Sequence, residues 1–147
     1  MATAKRIDPY GNFNFAVEID GINRAYFQEC SGFDSSIEVI DHREGGDAAF
    51  RKLPGPVKYS NITLKWGITD DAELYDWHKQ WVDGDSSAKR VNGSIVLLDR
   101  QGNEKVRWNF YNAWPAKYDG PDFNAEGTDV AIETLELAHE GVERVSS

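Results

Sequence analysis

Tyr59-Ser-Asn-Ile-Thr-Leu-Lys-Trp66 sets Ile62, Leu64 and Trp66 on one side of the chain and Asn61, Thr63 and Lys65 on the other. A period of two marks a strand with one buried face. Immediately downstream the period changes. From Thr69 to Asp83, the side chains of Leu74, Trp77, His78, Trp81 and Val82 recur every three or four residues, the spacing of an amphipathic helix. Thr69 or Asp70 can cap its start, Asp70, Asp71 and Glu73 suit the positive end of its dipole, and Gly84 supplies a left-handed stop. It is the one clear helical pattern in the chain.

Working outward, the other segments read as strands. Phe13, Phe15, Val17 and Ile19 alternate strictly with polar or small residues. Asp20-Gly21 then signals a turn, and Arg24 to Phe33 reads as the second strand of a hairpin. Ile37 to Ile40 and Ala48 to Leu53 flank Glu44-Gly45-Gly46-Asp47, whose paired glycines suit a hairpin tip, so Asp34 to Leu53 reads as a protruding two-stranded arm. Pro54-Gly55-Pro56 is expected to end it, since prolines block continued pairing. Val91 to Leu98 and Glu104 to Tyr111 form a further hairpin around a turn-rich loop. In Val130 to Ala138 the apolar parity changes midway, which fits a bulged strand or a short helix; the strand is preferred. No repeat or linker divides the 147 residues. The expected architecture is mainly β, a two-sheet antiparallel barrel or sandwich with one flanking helix, in a single domain over residues 1–147. The barrel core is assigned to Phe13, Phe15, Val17, Ile62, Leu64, Val106 and Phe110.

Composition narrows the function. With Cys30 alone there is no intramolecular disulfide and no Cys-rich metal site. Met1 to Pro9 has two basic residues without an apolar stretch behind them, which does not read as a secretory signal. The longest apolar run, Ile95 to Leu98, is far below the ~20 residues of a spanning helix, so stable membrane insertion is not expected. Sixteen basic against 25 acidic residues give a net charge of −9, which argues against tight nucleic-acid binding.

Catalytic patterns are equally sparse. His42, His78 and His139 are scattered and belong to no metal-ligating motif; no nucleophile elbow, phosphate loop or dinucleotide fingerprint occurs. No catalytic, cofactor or metal residues are therefore assigned. An acidic hydrolase has only composition in its favour. Trp66, Trp77, Trp81 and Trp108 fall on apolar faces, whereas Trp114 lacks a periodic reason to be buried. A monomeric carbohydrate-binding β-sandwich using Trp114 as a stacking platform is therefore the alternative. Between Asp119 and Glu143 eight carboxylates occur without a Lys or Arg, either a solvated acidic face or a wall that resists sticking to what passes it.

Read together, Asp8-Pro-Tyr-Gly-Asn-Phe-Asn-Phe15, Glu29-Cys-Ser-Gly-Phe33, Lys52-Leu-Pro-Gly-Pro-Val-Lys-Tyr-Ser-Asn-Ile-Thr-Leu-Lys-Trp-Gly67, Asn112-Ala-Trp-Pro-Ala-Lys-Tyr118 and Ile132-Glu-Thr-Leu-Glu-Leu-Ala-His-Glu-Gly141 carry a family resemblance. The chain resembles the tail-tube family of contractile phages and the inner-tube proteins of extracellular contractile injection systems, and is similar to the tube protein of type VI secretion. The resemblance implies a homo-hexameric ring, rings stacked into a tube inside a sheath, and baseplate and tube-terminating proteins as further partners. Cargo, a protein effector or DNA, would pass through the lumen. Assembly would occur in the bacterial cytoplasm, and the product would be a virion or a released extracellular particle. The family has no enzymatic site to carry over. Its functional residues are interface residues, which here fall on the arm, at Ile37, Val39, Gly45, Gly46, Phe50 and Leu53, and on the Met1 to Asn12 leader, at Tyr10. The residues agree on their own account: an arm with this apolar content cannot bury it alone.

Overall fold

The computed structural model describes residues 14–20, 22–24, 27–46, 48–68, 72–123, 127 and 131–146. In chain order the elements are β1 (Asn14–Ile19), β2 (Ile22–Arg24), β3 (Glu29–Ser31), β4 (Ser35–His42), β5 (Arg51–Tyr59), β6 (Ile62–Gly67), α1 (Glu73–Val82), β7 (Val91–Leu98), β8 (Glu104–Asp119), β9 (Ile132–Ala138) and β10 (Gly141–Ser146). All pairings are antiparallel, and the architecture is mainly β with one helix among the described residues. That helix is too short to cross a membrane.

Strands β2-β1-β7-β8-β9-β6-β3 are hydrogen-bonded in that order, and β10 adds to β8. The 16-residue β8 is the key to the shape. From Glu104 to Ala113 it pairs with β7, and its Val106–Tyr111 stretch pairs with β10 on the opposite edge. Beyond Ala113 it pairs with β9 through Trp114 to Asp119. One strand therefore belongs to two layers, β2-β1-β7-β8-β10 and β8-β9-β6-β3, and no closed barrel forms. Alternation then fills the space between the layers. Val17, Ile19, Ile95 and Phe110 enter from the first, Ile62, Leu64, Trp66, Leu135 and Leu137 from the second, and Leu74 and Trp77 of α1 join the same cluster.

Several expectations needed correction. Arg24 to Phe33 is not one strand: β2 pairs with β1, while β3 crosses to the other layer and pairs with β6. The helix begins at Glu73 rather than near Thr69; Ala72 occupies the cap position with no side-chain bond, and Thr69, Asp70 and Asp71 lie outside the described residues. Gly84, at φ +67°, does supply the left-handed stop. Val82 faces solvent, and Trp81 is only half-buried. Of the assigned core, Val17, Ile62, Leu64, Val106 and Phe110 are buried and Phe15 is packed against the core, while Phe13 lies outside the described residues.

Strand β8 continues past Tyr111 because Pro115 sits beside a register shift between Pro115 and Lys117, where a missing N–H leaves the ladder intact on either side. The bulge expected in β9 is thus on its partner. In β9 itself Glu133 takes an inward place in line with Leu135 and Leu137, which explains the broken apolar parity.

Candidate assembly surface

Strands β4 and β5 pair only with each other, as a separate two-stranded sheet. The ribbon is longer than expected: β5 runs straight through Pro54-Gly55-Pro56 to Tyr59. Each strand of a two-stranded ribbon is an edge, so a proline can turn its N–H-less side outward without cost to the ladder. The register slips between Ile37 and Val39, and a Cβ added to Gly55 would lie 2.9 Å from the Glu38 carbonyl oxygen. The glycine therefore permits the close backbone approach of a bulge.

The bulge leaves apolar side chains on both faces. Ile37 and Val39 share one face with their partners Val57 and Pro54, and Tyr59 continues that row opposite Ser35. Ile40 and Leu53 pair on the other face. None is covered: Ile37 is 58% exposed, Val39 61% and Phe50 59%. The Arg43 guanidinium lies 5.9 Å over the Phe50 ring, and Lys52 pairs with Asp41, so the outer end of the ribbon is charged where its base is apolar. At the tip Gly46 has φ +98°, and nothing lies within 4 Å of a Cβ added to Gly45 or Gly46. The turn, not packing within the chain, demands glycine at position 46. Tyr10 lies outside the described residues.

The other candidate residues are spent on internal contacts. Trp114, the basis of the sugar-platform alternative, is half-buried, with the Trp81 ring 5.4 Å away and the Arg90 guanidinium 5.9 Å over it. Trp108 stacks on Phe33 at 5.7 Å, and Trp77 donates Nε1–H to the Lys89 carbonyl at 3.4 Å. His78 Nδ1 lies 3.1 Å from the Pro115 carbonyl oxygen and His139 Nε2 2.8 Å from that of Ser60. His42 lies 3.6 Å from Glu44 on the ribbon. Among the described residues no three His, Cys, Asp or Glu side chains group as a metal ion requires.

The acidic run is not a single solvated face. Glu133 is buried and accepts hydrogen bonds from Trp66 Nε1 at 3.3 Å and Tyr118 Oη at 2.5 Å. Burial, reinforced by that bond and by the Glu133 charge, pushes the Tyr118 phenol up to about 12. Glu140 pairs with Arg90, Glu143 accepts from Tyr111, and Glu136 lies 3.7 Å from Lys117. Elsewhere Arg107 is held above its ordinary range by hydrogen bonds to Glu104 and Glu18, and burial, aided by Glu29, raises the Cys30 thiol to about 12.

A two-layer β fold with one helix among the described residues carries an apolar ribbon that nothing among those residues covers. Residues 11–143 match the model of the T4-like virus tail tube protein gp19 family, and the chain belongs to that family. Its fold is similar to a chain in the cryo-EM structure of the anti-feeding prophage cap, the tube-terminating cap, with TM-score 0.86 and 24% identity over 99% of this chain and 97% of that one. It is similar also to a chain of the sheath-tube complex of the PVC extracellular contractile injection system in the extended state, with TM-score 0.83 and 27% identity over 95% and 93%. Hcp1 from Flavobacterium johnsoniae shares the fold more distantly, with TM-score 0.56 and 15% identity over 92% and 97%. No curated protein sequence matches the chain. The protein is a tail-tube structural protein.

Proposed function

We propose that six copies of this chain close into a ring and that rings stack into the inner tube of a contractile injection particle, with the β4–β5 ribbon as the junction between copies. The observation that carries this reading is the ribbon itself, apolar on both faces and uncovered along its length in a chain of the tail-tube family. Ile37, Val39, Phe50 and Leu53 supply the contact, Gly45 and Gly46 shape the tip, and Tyr10 is a further interface residue. Solved relatives come from a baseplate, a tube-terminating cap and a sheath-tube complex, which supports sheath, baseplate and terminator proteins as partners. A protein effector or DNA is the cargo, assembly takes place in the bacterial cytoplasm, and the chain acts in a virion or released particle without catalysing a reaction.

Size-exclusion chromatography with light scattering, followed by electron microscopy, tests the reading. Rings or tubes are expected, and a strictly 16.6 kDa species at high micromolar concentration overturns it.

A further inference from the structure

His139 and Glu140 are neighbours in the turn between β9 and β10, and each reaches a different part of the molecule. His139 Nε2 lies 2.8 Å from the Ser60 carbonyl oxygen. A carbonyl only accepts, so Nε2 donates the proton of this bond, while Nδ1 is buried without a hydrogen-bond partner. The imidazole also packs against the Tyr59 ring, centroids 5.7 Å apart. Tyr59 and Ser60 are where the ribbon returns to the body, and the Ser60 N–H donates to the carbonyl of Asp34 at the ribbon's other root, 3.2 Å away.

One residue on, Glu140 holds the bend of β8. Its N–H donates to the Tyr111 carbonyl at 2.9 Å, and its carboxylate accepts from Arg90 Nη1 at 2.8 Å and from Asn112 Nδ2 at 3.1 Å. Asn112 is the one non-glycine residue with positive φ, +53°, among those described, and its N–H donates to Asn92 Oδ1 at 3.0 Å. The strained residue stands where β8 passes from one layer to the other.

We propose that the His139–Glu140 turn is a joint fixing the ribbon's angle to the two sheet layers, which makes both residues positioning residues for association between copies of this chain. The inference rests on the tube reading. Its physical basis is pre-organisation: a ribbon free to swing at its root loses that freedom on docking, and a ribbon already held in place does not.

The test compares His139→Ala, His139→Gln and Glu140→Ala in the full chain. Three quantities are read: the concentration at which the 16.6 kDa species gives way to assemblies, the thermal midpoint of the dispersed subunit, and hydrogen exchange at the Ser60 amide. Both alanine variants are expected to raise the assembly threshold about tenfold, and His139→Ala to accelerate Ser60 exchange. His139→Gln, whose amide N–H can reach the Ser60 carbonyl, is expected to restore both. Alanine variants that assemble at the wild-type threshold overturn the joint alone. So does a threshold that follows the thermal midpoint with no rescue by glutamine. A wild-type chain that never associates overturns the tube reading, and the joint with it.

Discussion

Glu133 stands in an inward row with Leu135 and Leu137, and its place among apolar side chains is bearable because Trp66 and Tyr118 both donate to it. Glu133→Ala removes an acceptor that two core aromatics share. Since hydrogen bonds to a charged group are worth about 1.5–3 kcal/mol each, a loss of about 3 kcal/mol is expected in urea unfolding, and Glu133→Gln should lose less. The same pair predicts an alkaline limb. The Tyr118 phenol titrates near 12 in the folded chain against about 10 in an unfolded one. Its contribution is complete below pH ~10 and disappears as pH rises through ~12. A stability titration should therefore fall between those values, and the fall should shrink in Tyr118→Phe. At this scale the sequence told least. Eight carboxylates in a run read as surface because composition carries no direction, and only the strand register turns Glu133 inward.

At the scale of elements, α1 and the ribbon behave oppositely under mutation. Trp77 is buried in the core cluster, so Trp77→Ala should lower stability by about 3–5 kcal/mol. Trp81 is half-buried against Trp114, and Trp81→Ala should cost clearly less. Chemical denaturation of dispersed subunits checks the difference. In the ribbon, Phe50→Asp puts a charge on a side chain that touches no core, so circular dichroism and the cooperative melt should survive while assembly fails. Gly46→Val should act in the same direction more weakly, because a β-branched residue resists φ +98°. Intact tubes in negative-stain images of either variant would show the ribbon to be dispensable. The strands with strict alternation, β1 and β6, were legible from period alone. The ribbon's true length was not. Proline reads as a stop on the assumption that both edges of a strand are paired, and Pro54 and Pro56 lie where one edge is free.

For the whole molecule, the prediction is association. Each junction between copies should bury more than about 1,000 Å², the lower bound for a specific interface, measurable once an assembled ring is solved. Length, charge and the lone Cys30 bounded the class, and the segments between Asp8 and Gly141, read together, carried the family resemblance. What pattern could not supply was the way one chain segment serves two layers. Asn112 interrupts no apolar period, and an asparagine at positive φ leaves no mark in a sequence beyond being tolerated there.

That shared segment bears on mechanics. Strand β8, sixteen residues and roughly 50 Å of chain, enters one layer and leaves through the other, so shear between the layers loads covalent backbone as well as side-chain packing. A tube driven forward by a contracting sheath has to transmit thrust through every subunit. In this subunit the load path crosses between layers at Asn112, through peptide bonds, with the Asn92 and Glu140 hydrogen bonds bracing the bend. Under compression the two layers of each copy should move as one stiff body, and yielding should begin at the junctions between copies.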